Sequence, residues 1–238
     1  MKPPDITTLW LQTFVFAVAL YGFSVVYSVL YLGELSFVGL SESVAFTSGI
    51  LIGCSFALSG LSFFLDVFDT KLKYRKMLGI TGYFCALTYS ISLFFRDTDR
   101  YWTNLSSSLK DIDVLLGLGA MAILTFMALI SSNWAVKMFG KNWRTLLRAG
   151  YIAYLLLIIR AFYLEEAIWT QWFLSRNSLA PPRLVLTFFA LLVLYLRVFL
   201  EFGIRLKKKN PPTPVPVSTA SAPAVENAQL NTAGQSVA

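Results

Sequence analysis

The sequence contains no histidine. That one absence removes the neutral imidazole as a haem or metal ligand, as a general base near neutral pH and as the centre of a hydrolytic triad. Charge is scarce as well: 14% of residues are Asp, Glu, Lys or Arg, against about 25% in a typical soluble domain. Too few polar groups remain to cover a globular surface. Cysteine occurs only at positions 54 and 85, with no CxxC and no zinc-type spacing. Both lie inside apolar runs and read as small packing residues, a disulfide requiring that their helices bring them together. No GxGxxG, GxxxxGK[ST] or GxSxG motif is found. A nicotinamide or flavin domain would need about a hundred further residues, so a redox role calls for a separate partner.

What is present is apolar. Hydrophobic residues make up 56% of the chain, gathered into runs of the length that spans a bilayer, about 17–25 residues. Six such runs are expected to be transmembrane helices: Thr8–Leu32, Ser43–Leu65, Met77–Phe95, Ile112–Ser132, Trp143–Leu164 and Arg183–Ile204. Proline supports the partition, because all nine prolines fall outside these runs, where no helical hydrogen bond is lost. Tryptophan supports it independently, because all six lie at run ends or in loops, as interfacial anchors do. The expected fold is an all-α, integral membrane bundle of six helices.

Orientation follows from the loop lysines and arginines. With the N-terminus inside, twelve fall on inner segments and five on outer ones, so both termini are expected in the cytoplasm. The net charge of +7 reflects this bias and gives no case for nucleic-acid binding; membrane lipids are the expected surroundings. The first run is too long, and lacks the basic flank, for a cleavable signal. Residues 1–7 form a short cytoplasmic N-terminus and 8–204 the membrane domain. From Arg205 the composition turns to RLKKK and then to Pro, Ala, Ser and Thr, the pattern of a disordered cytoplasmic tail over 205–238. The loop EEAIWTQWFLSRNSLAPPR is expected to lay a short helix on the outer interface, with Ile168, Trp169, Trp172 and Phe173 towards lipid.

Charges inside apolar runs are costly and are functional candidates by default. Arg144 and Arg148 stand at the inner end of the fifth run, where they can snorkel. Arg160 lies about one turn from the outer end, near Glu165 and Glu166 as pairing partners. Arg197 has Glu201 four residues on, on the same helical face. Arg148, Arg160, Arg197 and Glu201 are therefore the intramembrane polar candidates, either as an interior site or as snorkelling and packing groups.

The segment SSNWAVKMFGKNWRTLLRAGYIAYLLLIIRAFY resembles the ferric reductase-like transmembrane domain, the family of the bacterial methionine sulfoxide reductase haem subunit and of the NADPH oxidase membrane half. The family pattern N-W…LG-x-x-W-x-x-L-H-R-L-x-Y-x-A is met by Asn133, Trp134, Gly140, Trp143, Leu146, Arg148, Tyr151 and Ala153. The third run, YRKMLGITGYFCALTYSISLF, is similar to the family's R-R-x-L-G…A-L-x-H helix through Arg75, Lys76, Leu78, Gly79, Ala86 and Leu87. The resemblance covers residues 45–200 or so and implies six helices, with b-type haem held between the third and fifth by paired histidines. Those ligand positions fall on Arg75, Tyr89, Leu147 and Arg160. Bis-histidine haem is excluded by composition, and Tyr89 is the only candidate ligand left for haem b held without histidine. No cofactor, metal or catalytic residue is expected. Large side chains such as these four, with Tyr83, Tyr151 and Tyr154, would fill the space a macrocycle leaves. Three functions follow from this reading. The first is a haem-free scaffold or partner subunit of a membrane redox system. The second is an electron-transfer oxidoreductase using non-histidine haem or quinone with a separate reductase. The third is a small transporter or lipid-binding protein, weakened by the lack of an intramembrane acid pair. The expected location is a multi-pass integral protein of the plasma membrane, or of the inner membrane if bacterial.

Overall fold

The computed structural model describes residues 6–64, 73–99, 107, 109–131, 138, 148–175 and 179–209. Six long α-helices occur among them: α1 Ile6–Leu32, α2 Phe37–Phe64, α3 Tyr74–Arg96, α4 Ile112–Ile130, α5 Ala149–Ser175 and α6 Pro182–Lys209. Five are long and apolar enough to cross a membrane; in α5 the described stretch is interrupted by Arg160, Glu165 and Glu166. The chain is an all-α, multi-pass integral membrane protein. It divides after Phe202 into two compact units, and of the second only the last turns of α6, to Lys209, are described.

Local chemistry sets the helix ends. Gly33 closes α1 in the left-handed conformation (φ +80°), which costs glycine nothing, and its N–H returns to the carbonyl of Val29 at 2.8 Å. Ser36 then caps α2, its Oγ accepting the Gly39 N–H at 3.1 Å. The helix consequently starts six residues before the expected Ser43 and includes Glu42. Pro182 opens α6, in the position where a missing N–H is harmless. At the other end α6 continues through the basic cluster to Lys209, beyond the expected boundary at Arg205; the rest of the expected tail, like Arg144 and Leu147, lies outside the described residues.

The centre of the bundle is α2. Over its apolar stretch 56% of residues are buried, against 17–28% in the other four candidate spans. Its sequence explains this, because small residues let membrane helices approach closely. Ser48 Oγ donates to the carbonyl of Gly82 on α3 at 2.9 Å, and Ser55 Oγ to that of Arg75 at 2.8 Å. Ser24 of α1 donates to the carbonyl of Ser43 at 3.3 Å. Close backbone approach is concentrated in the α2–α3, α4–α5 and α1–α2 pairs, whereas α6 meets α2 through long side chains. Leu186 lies over Gly49 and Phe189 over Gly53, so closely that a Cβ at either glycine would collide. Leu11, Phe14, Phe23 and Leu30 of α1, and Leu192, Tyr195 and Phe202 of α6, are exposed, as lipid-facing positions should be.

The fifth loop departs from expectation. Residues 165–175 extend α5 and do not form a separate interfacial helix. Trp169 is buried, 6% exposed, its ring edge-on to Phe162 at 5.9 Å; Ile168 and Phe173 are exposed.

Candidate functional site

Charged groups collect at two opposite ends of the bundle. At one end, Arg183 in the first turn of α6 bridges two helices. Its Nη2 donates to Glu42 Oε1 on α2 and its Nη1 to Glu165 Oε1 on α5, both at 2.9 Å. The second oxygen of Glu165, Oε2, accepts the Trp169 indole N–H at 3.0 Å. Tyr31 lies within electrostatic range of both carboxylates, and Tyr89 within range of Arg183. This triad sets two carboxylates, Glu42 and Glu165, on one guanidinium at this end of the bundle. Arg183 opens the expected sixth run, whereas Glu42 falls just before the expected second, and the Ser36 cap draws it into α2.

Arg160 does not join it. Its Nε donates to the backbone carbonyl of Asp113, at the start of α4, at 2.9 Å. The expected partners, Glu165 and Glu166, stand five and six residues along the helix, off the face that positions three and four away share. Gly117 makes the approach feasible: a Cβ there would come within 3.2 Å of Arg160 Nε.

Between the two ends, aromatic side chains pack in the core shared by α2, α4, α5 and α6. Phe56 of α2 packs on Tyr151 at 4.7 Å and edge-on to Tyr154 at 5.8 Å. Tyr154, 2% exposed, donates its hydroxyl to the Gly49 carbonyl at 2.8 Å. Tyr83 reaches across to Thr125 Oγ1 at 3.2 Å. A Cβ on Gly150 would strike Met127 and Phe56, and one on Gly53 would strike Phe189 and Tyr154. Three of the fillers expected from the sequence, Tyr83, Tyr151 and Tyr154, do stand in this core. An apolar groove of about 340 Å³ between α5 and α6, walled by Phe162, Trp169, Phe188 and Leu191, opens on the outside of the bundle.

At the opposite end, Arg197 and Glu201 pair at 3.3 Å, as their spacing predicts. The Arg197 guanidinium also lies over the Tyr151 ring, 5.4 Å from its centre. Arg75, second residue of α3, is within electrostatic range of both Tyr151 and Arg197. Arg148 is exposed in the turn before α5. The four intramembrane candidates therefore separate: Arg197 and Glu201 share the inner cluster, Arg160 belongs to the start of α4, and Arg148 stands outside both.

Residues 43–158 match the model of the family described as ferric reductase like transmembrane component. Over 88 residues the chain is 32% identical to the protein-methionine-sulfoxide reductase heme-binding subunit MsrQ of Brucella ovis, of Brucella canis and of Brucella suis. Each match covers 35% of this chain and 39% of the relative's length.

Proposed function

We propose, on the premise that residues 43–158 of this chain belong to the ferric reductase-like transmembrane family, that the protein is a haem-free member serving as a non-catalytic scaffold or partner subunit of a membrane redox system. One observation carries the reading: the family's helical frame is kept while every histidine is gone. Haem b supplies a one-electron centre when two axial ligands grip its iron, and the residues here do not fit that demand. Arg75 and Arg160 stand at two of the ligand positions, and a guanidinium has no lone pair to offer. Arg160 is moreover turned to the Asp113 carbonyl, which leaves Tyr89 without an opposing ligand. The glycines of the packed core are covered by side chains: Gly49 by Leu186, Gly53 by Phe189, Gly82 by Ile52 and Gly150 by Met127.

Close packing of Phe56, Tyr154 and their neighbours holds the helices of the bundle together. What such a protein offers a redox system is a fixed surface in the membrane. The Brucella relatives are named as haem-binding subunits, and a subunit role carries over more readily than their haem does. Affinity purification from gently solubilised native membranes tests this: a redox protein should co-purify in near-equal amount. A chain that purifies alone, and whose removal leaves membrane redox activity unchanged, would contradict the proposal.

A further inference from the structure

We infer that Arg75 and Arg197 form a binding site for a phosphate-bearing anion at the end of the bundle that the lysine and arginine bias places on the cytoplasmic side. Four helices converge there. Ser55 of α2 holds the Arg75 backbone carbonyl at 2.8 Å, which fixes where α3 begins. Tyr151 of α5 lies under the Arg197 guanidinium at 5.4 Å and within electrostatic range of Arg75. Glu201 of α6 is the carboxylate of the cluster, 38% exposed and 3.3 Å from Arg197.

The charges do not balance. Glu201 pairs with Arg197, while Arg75, within electrostatic range of Arg197, makes no side-chain hydrogen bond among the described residues. Two like charges in a region of low dielectric repel strongly unless a counter-ion lies between them. Arg183 and Arg160 show what satisfaction looks like, with Arg183 using two acceptors and Arg160 a carbonyl. Among the described residues no such acceptor stands on the Arg75 side chain.

The ligand's class follows from geometry and charge. Arg197, stacked on Tyr151, gives one N–H from Nη2 to Glu201 and has no other side-chain acceptor among the described residues, and guanidinium forks match the oxygens of a phosphate. A tetrahedral phosphodiester can present oxygens to two forks from different helices and carries the single negative charge that the cluster lacks. Arg75 lies in the first turn of α3, at the depth of a lipid headgroup, so the phosphate of an anionic lipid and a free phosphate share the required chemistry.

The full chain in detergent, stripped of lipid, separates the two sources. Native mass spectrometry after addition of dioleoyl phosphatidylglycerol or dioleoyl phosphatidylcholine reads the lipid arm; thermal shift in millimolar inorganic phosphate reads the soluble arm. With phosphatidylglycerol as the source, its retention should exceed that of phosphatidylcholine about tenfold and fall about tenfold in both Arg75→Gln and Arg197→Gln. With free phosphate as the source, phosphate should raise Tm in the unaltered chain and not in those variants. Lys76→Gln changes an exposed neighbour and should leave either effect intact; equal loss in that variant would reduce the site to a general basic surface. Arg75→Lys guards against misfolding, since it keeps the charge and loses the fork, and should retain part of the effect. Binding of neither probe, or binding indifferent to both arginine substitutions, overturns the site.

Discussion

The two charged ends of the bundle use arginine in opposite ways. At the outer cluster, Arg183 sits between Glu42 and Glu165 with both contacts at 2.9 Å, and Trp169 completes the second carboxylate. At the inner cluster, Glu201 pairs with Arg197, and Arg75, within range of Arg197, has no side-chain acceptor among the described residues. The first arrangement closes on itself and ties α2, α5 and α6 together. The second leaves guanidinium N–H groups without an acceptor among the described residues, which a binding site requires and a structural clamp avoids. Arg75 of that cluster stands at one of the family's ligand positions, and a core rich in aromatic side chains lies between the two ends.

Substitutions can break or sharpen that contrast. The largest effect is expected from Arg183→Ala, which strands two carboxylates in a partly buried site and should cost about 3 kcal/mol, read as a loss of several degrees of Tm in detergent. Overpacking the core comes next: Gly53→Ala forces a methyl against Phe189 and Tyr154 and should cost about 2 kcal/mol by the same melt. Arg160→Ala loses one charged hydrogen bond, to the Asp113 carbonyl, for about 1.5 kcal/mol. Tyr154→Phe deletes a single buried hydroxyl contact with Gly49, worth about 1 kcal/mol. The smallest effect belongs to Arg75→Met in lipid-free, phosphate-free detergent. It keeps the aliphatic stem and removes a charge that has no side-chain acceptor among the described residues, so Tm should change by less than in any of the others. If Arg75→Met proves as damaging as Arg183→Ala, the distinction between a closed and an open end fails.

How legible all this was depended on distance along the chain. Six apolar runs announce six helices because a bilayer fixes their length, and Arg197–Glu201 is visible because four residues make one helical face. Tyr154 stands in the core and Tyr83 and Tyr151 pack against it, which aromatic residues within apolar runs make legible. The outer triad was hidden: Glu42 and Arg183 are 141 positions apart, and pairing of that kind is a property of packing. Two local signals bearing on it were available, the Ser36 cap and the Pro182 start. Arg160 went to the wrong partner because nearness in sequence outweighed helical phase. Trp169 was assigned to lipid because tryptophan favours interfaces, whereas its indole N–H is held inside by Glu165.

The central claim is that side chains occupy the space and positions that relatives give to haem. Its most direct measurement is the absorption spectrum of the purified full chain, expressed with ample haem supply, before and after dithionite. The account predicts no Soret band in stoichiometric amount and no reduction-dependent change in the visible region. A band at one haem or more per chain that shifts on reduction would contradict it.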